Sequence, residues 1–175
     1  MKKTICLLGL LLLVLCARAQ QTYNVRAPFD PATVKMEEKH RGEILKFSIN
    51  DSQVYPGTER EILVYVPRQY KSKQTACLLV CMDGILYDAT TVMDNLIASG
   101  EMPVTIGVFV NPGVVYDEDR EVVRYNRCKE FDATDDSFVI FLETEVLPRV
   151  ESMKTESGKT IALSHDANDR AITGA

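Results

Sequence analysis

The chain has 175 residues, the length of one domain at roughly 100–200 residues per domain. Lys and Arg total 20 and Asp and Glu total 25, for a formal net charge of −5, with 46% hydrophobic and 26% charged residues. This composition excludes whole-chain disorder and low-complexity assembly, and the charge balance offers no basic face to nucleic acid.

The chain opens on Met1-Lys2-Lys3, a short basic start. Ile5 to Cys16 follows as an almost unbroken apolar run, and Ala17-Arg18-Ala19 puts small residues at both positions a signal peptidase reads. The three parts predict a secretory signal peptide over residues 1–19, cleaved after Ala19, and a secreted or periplasmic product. A transmembrane helix needs about 20 apolar residues, more than the run supplies. A lipid anchor on Cys16 is the rival reading, disfavoured by the bulky Leu15 where a small residue is wanted. Cleavage removes Lys2, Lys3 and Arg18 and no acid, so the mature charge is 17 − 25 = −8. Such a chain is drawn neither to anionic membranes nor to nucleic acid. Cys77, Cys81 and Cys128 remain, an odd count that argues against a disulfide framework. Cys77 and Cys81 share one predicted strand about 13 Å apart, at about 3.3 Å per residue, too far to bridge. They read as small buried hydrophobes.

Residues 20–42 are polar, with Pro28 and Pro31, and read as an extended lead-in to a domain over 43–175. Glu43–Asn50 carries Ile44, Leu45, Phe47 and Ile49 and predicts a strand. Tyr55-Pro56-Gly57-Thr58 is a turn signal. Glu61–Val66 alternates, with Ile62, Val64 and Val66 on one face, and predicts an antiparallel partner for the first strand. Ala76–Met82 is apolar throughout, as in a parallel strand buried on both faces. Asp88–Ser99 predicts a helix with Val92, Met93, Leu96 and Ile97 on one side, stopped by Gly100. Val104–Val110 is a second buried strand, closed by Asn111-Pro112-Gly113. Tyr116–Asp132 reads as a charged loop. Asp135–Glu151 predicts a helix with Phe138, Phe141, Leu142 and Leu147 inward and Pro148 kinking its end. Lys154–Asp169 is a polar connection, and Arg170–Thr173 a short strand running into Gly174-Ala175. Alternation of buried strands with helices predicts an α/β fold with a mostly parallel sheet and an antiparallel N-terminal strand pair.

Five sets of residues are candidates for chemistry. Gly158-Lys159-Thr160 matches the end of a phosphate loop, but Met153 stands where the pattern needs Gly, and the segment follows a helix instead of a strand. It reads as a solvated turn. His40 and His165 lie in no metal-ligand spacing, and His165-Asp166 are neighbours in sequence, whereas catalytic partners meet in space. Asp83-Gly84 ends a buried strand, where open α/β sheets bind ligands and where a loop can aim N–H groups at a developing oxyanion. The competing reading is a plain strand-ending turn. Arg127 and Glu130 lie in the loop after the next strand, at the same end of the sheet. Arg127 is a candidate for a polar substrate group, with Glu130 holding it; the competing reading is a mixed-charge surface loop. Finally, a strand entering Gly174-Ala175 has the approach of a nucleophile elbow, G-x-S-x-G.

Taken in order, these pieces resemble the enterochelin-esterase-like serine esterases of the α/β-hydrolase superfamily. The matching segments run from Tyr55-Pro56-Gly57-Thr58-Glu59-Arg60 and Val64-Tyr65-Val66-Pro67 through Leu79-Val80-Cys81-Met82-Asp83-Gly84 and Asp94-Asn95-Leu96-Ile97. Ile106-Gly107-Val108-Phe109-Val110, Asn126-Arg127, Glu130-Phe131-Asp132, Glu145-Val146-Leu147-Pro148 and Asp169–Ala175 complete the set. The resemblance implies the N-terminal half of an α/β-hydrolase fold. It also implies ester hydrolysis by a Ser–His–Asp/Glu triad, without metal or cofactor, on a small-molecule ester of a carbohydrate, a phenolic or a siderophore. The triad follows the order Ser, acid, His, so all three members are expected beyond Ala175, with no catalytic residue within the chain. The chain is then expected to be a truncated, inactive fragment. The parts present are the oxyanion-hole candidates Gly84 and Ile85 and the substrate-cleft candidates Asp83, Arg127 and Glu130. Ile85 replaces a second Gly of the family pattern, and Cys128 a frequent Ser. The alternative is a non-catalytic binding or structural module built on half of the fold.

Overall fold

The computed structural model describes residues 30–174; the signal peptide expected over 1–19, the first part of the lead-in expected over 20–42 and Ala175 lie outside the described residues. Residues Pro31–Ala175 form one compact unit.

Five strands make the main sheet: β1 (Glu43–Ile49), β2 (Arg60–Val66), β3 (Cys77–Met82), β4 (Thr105–Val110) and, last in the chain, β7 (Arg170–Thr173). Their order is β1-β2-β4-β3-β7. β1 and β2 pair antiparallel, β2 runs antiparallel to β4, and β3 lies parallel to both β4 and β7. Four strands therefore share one direction, and β2 opposes them. The hydropathy pattern explains the positions. β4 is apolar at nearly every residue and is buried along its whole length at the sheet centre. β1 alternates and sits at an edge with Ile44 half exposed.

A helix layer covers each face. Helix α1 (Ala89–Ser99) packs Met93 and Ile97 against Tyr65, Cys81 and Phe109. Val92 and Leu96, expected inward, instead line an open groove beside β3 and β7. The other face, with Ile62, Val64, Leu78, Val80, Ile106 and Val108, meets a longer helical run. That run begins as an α-helix (Ser137–Phe141), passes through a π-helical turn (Leu142–Val146) and returns to α (Leu147–Ser152). Pro148 explains the π turn: it has no N–H to return to the preceding turn, and the Leu147 N–H reaches back to the Leu142 carbonyl. The inward residues Phe138, Phe141, Leu142 and Leu147 are buried as expected.

Two segments depart from the sequence reading. Tyr116–Asp132 is not a plain loop. It holds the antiparallel pair β5 (Val114–Tyr116) and β6 (Val122–Tyr125), then helix α2 (Arg127–Phe131). The polar connection after Ser152 carries Ile161 and Leu163 into the core, with Leu163 bridged to Ala76. Both apolar residues are too isolated for a periodic signal. The lead-in is also not wholly extended, since Pro31–Thr33 and Glu38–His40 form short 3-10 turns. Gly100 caps α1 in a left-handed conformation as expected, and Lys159 follows a turn, with its Nζ donating to the Tyr70 carbonyl.

Candidate functional site

The parallel strands β3, β4 and β7 all point their C-terminal ends at one rim of the sheet, the end where α/β folds place ligands. Three loops meet there. The first follows β3. Asp83 (φ +66°), Gly84 (φ +76°), Tyr87 (φ +52°) and Asp88 (φ +53°) all adopt left-handed backbone, so three non-glycine residues hold a conformation that L side chains disfavour. Gly84 is required for a second reason: a Cβ there would lie 2.5 Å from Asn111 Oδ1, in the loop after β4. Asn111 is itself anchored, donating to the Glu61 carbonyl at 3.1 Å.

The Gly84 N–H donates to the Val110 carbonyl at 3.3 Å. It is thereby spent within the fold. Ile85, the other oxyanion candidate, is partly buried, with its side chain packed against the Tyr65, Cys81 and Phe109 cluster.

The second loop presents Arg127 at the start of α2. Its Nε and Nη2 each donate to one carboxylate oxygen of Asp83 at 2.6 Å, a bidentate fork. Asp83 holds the Arg127 guanidinium above its ordinary pKa by this hydrogen bonding. Arg127 also lies over the Phe131 ring, 5.9 Å from its centroid. Asp83 and Arg127 thus come together as the sequence placed them.

Glu130 does not hold Arg127. It is 1% exposed and turns inward, where its carboxylate accepts both terminal nitrogens of Arg60 and the Gly113 N–H. The reason is the period of β2. Arg60 shares its face with Ile62, Val64 and Val66, so its guanidinium enters the core and needs a buried carboxylate. Thr58 Oγ1 accepts a third bond from Arg60, and the Phe141 ring lies 4.5 Å away. Gly113 makes room for the pair, since a Cβ there would come within 2.5 Å of Arg60 and 2.7 Å of Glu130. Arg60 is the residue that sequence reasoning missed. The signal was present, a cation in phase with the apolar face of a strand.

The third loop is the exit of β7. Gly174 and Gly84 both line a cavity of about 340 Å³, walled by apolar groups that include Met82, Leu86, Met93 and Phe109. The end of β7 and the loop after β3 therefore border one apolar space. The histidines stay apart from it. His165 is exposed, and Asp166 accepts instead from the Asn168 N–H. Ser164 donates to Asp169 at 2.6 Å. Among the described residues no group of three or more His, Cys, Asp or Glu is placed to hold a metal, and no helix is long and apolar enough to cross a membrane.

The family model described as "Putative esterase" matches residues 53–175, more than half of the chain and all three loops. The chain belongs to the esterase family. Among solved structures, this fold is similar to a ferulic acid esterase from Anaeromyces mucronatus in complex with ferulic acid. Identity is 17% and the TM-score 0.58, over 83% of this chain and 53% of that one. It is also similar to a variant feruloyl esterase module from Clostridium thermocellum complexed with sinapinate, at 18% identity and a TM-score of 0.51, over 85% and 50%. The chain therefore spans about half the length of these structures. These likenesses establish an α/β-hydrolase-type fold. No curated protein matches the chain.

Proposed function

We propose that residues 43–175 form the oxyanion and cleft half of an exported carboxylic ester hydrolase of the enterochelin-esterase-like branch. One observation carries the reading: β7 runs parallel beside β3 into Gly174, and Gly84 of the loop after β3 lines the same apolar cavity as that strand end. An ester carbonyl seated there would lie beside the loop that holds the oxyanion-hole candidates Gly84 and Ile85, whose backbone is the proposed source of a donor as charge develops on its oxygen. The nucleophile would stand at the turn leaving β7, where the elbow pattern places serine after Gly174-Ala175. That serine would attack the acyl carbon, a histidine would take its proton and return it to the leaving alkoxide, and an acid would orient the histidine.

Within the described residues no serine hydrogen-bonds a histidine, so residues 1–175 alone are expected to hydrolyse no ester. The substrate class is a small-molecule ester, of a carbohydrate, a plant phenolic or a siderophore. The ferulate and sinapinate complexes of the similar structures support the phenolic member of that set. The apolar leader over residues 1–19 supports export. The testing experiment reads the coding sequence beyond the Ala175 codon, expresses the whole product and assays it with p-nitrophenyl acetate and methyl ferulate. A frame continuing Ser-x-Gly with serine-dependent hydrolysis supports the proposal. A stop codon after Ala175 removes the catalytic reading and leaves a binding module.

A further inference from the structure

Arg127 stands at the rim of the cleft, where a cation invites a role in gripping substrate. Its geometry says otherwise. The Nε/Nη2 edge, the edge that would grip a carboxylate or phosphate in parallel, is already committed to Asp83 through two bonds of 2.6 Å. Asp83 is the first residue of the loop to leave the strand conformation, at φ +66°, and Gly84 follows at φ +76°. A non-glycine residue in this region persists only where its surroundings over-determine it. The one backbone bond at this point, Gly84 N–H to Val110, is long at 3.3 Å. The ion pair is the stronger restraint.

We infer that Arg127 is a positioning residue, which through Asp83 fixes the left-handed Asp83–Gly84 backbone where Gly84 lines the cleft. Arg127 can do so because its own helix is anchored. Glu130, three residues on, is locked in the core by Arg60 and by the Gly113 N–H. The restraint thus runs from β2 through α2 to the loop after β3, with buried contacts at one end and the left-handed turn at the other. The inference rests on the ester hydrolase reading only for the purpose of the loop; the restraint itself needs no nucleophile.

The test is amide hydrogen exchange and ¹H–¹⁵N spectroscopy on the chain itself, in Arg127→Gln, Asp83→Asn, the double variant and Arg127→Lys. Asn tolerates left-handed backbone, so Asp83→Asn removes charge without new backbone strain. Exchange at Gly84 is expected to rise by about tenfold or more in each single variant, and no further in the double, because both remove one interaction. The Ile85 resonance should shift or broaden in the same variants, while Val108 in β4 stays protected. Lysine, a point charge without the fork, should restore part of the protection. Unchanged Gly84 exchange overturns the inference. So does additivity of the two substitutions, or loss of protection at Val108 equal to that at Gly84, which would make Arg127 a general stabiliser of the fold. These readouts are independent of activity, so a failure of the hydrolase reading, seen in the ester assay, is distinguishable from a failure of this one.

Discussion

The buried Arg60–Glu130 pair offers the sharpest check on how the site end of the sheet is held. Both side chains are fully buried, and the Glu130 carboxylate takes Arg60 through two nitrogens and Gly113 through its N–H. Glu130→Gln keeps size and shape but leaves the guanidinium without a counter-charge in the core. Breaking a buried pair from one side costs about 3–5 kcal/mol, because the remaining ion is stranded. At a urea m-value of about 2 kcal/mol/M, the midpoint should fall by about 1.5–2.5 M. The double variant Arg60→Met/Glu130→Leu removes both charges at similar volume. Its expected cost is about 1–3 kcal/mol, mainly the Gly113 N–H that loses its acceptor. Urea denaturation followed by circular dichroism measures all of these. The reasoning is refuted if Glu130→Gln costs less than about 1 kcal/mol, or if the double variant costs the sum of the two singles.

Other consequences are equally specific. Gly113→Ala should destabilise by about 2 kcal/mol or more, since its Cβ would press on Arg60, Glu130 and Thr58; urea midpoints report it. Phe141→Ala should cost about 3–5 kcal/mol, because the ring is 0% exposed and packs edge-on to Tyr55; thermal denaturation is a second readout. Thiol labelling at pH 8 should modify the exposed Cys128 first, with Cys77 and Cys81 reacting only on unfolding. Burial pushes the Cys81 thiol up to about 11. The fold therefore favours its neutral form: stability from this group is intact below the unfolded thiol's pKa and declines as pH rises towards 11, which denaturation at pH 7 and pH 10.5 compares. Ile172→Lys should lower concentration-dependent light scattering, because Ile172 is 55% exposed on β7, an edge strand among the described residues.

The strands were legible because their apolar patterns report burial directly. The all-apolar runs of β3 and β4 became parallel neighbours, and the alternation of β2 put Ile62, Val64 and Val66 on one core face. The β5–β6 pair was not legible, since β6 is exposed at all four residues and its pairing leaves no periodic trace. The π turn also escaped the reading, which registered Pro148 as a kink and missed the slipped hydrogen bond before it. At the site, sequence placed Asp83, Gly84, Ile85 and Arg127 at one rim but could not assign partners. Whether Arg127 met Glu130 or Asp83 depended on which face of α2 each occupied, and a helix of five residues shows no resolvable stripe.

The division of labour between the two carboxylates follows from the sheet. Glu130 and Asp83 are both within reach of an arginine from another element, yet one pair is fully buried and the other is partly open, with Arg127 at 39% and Asp83 at 16% exposed. A buried pair is costly to break, whereas a half-exposed pair is weakened by solvent, so Arg60–Glu130 is the stronger anchor of the two. The anchor lies where β2 and the loop after β4 meet the core, and the half-exposed pair holds the left-handed turn after β3. The loop after β3 is thus held in two stages, helix α2 by the pair inside and the left-handed turn by the pair at the rim.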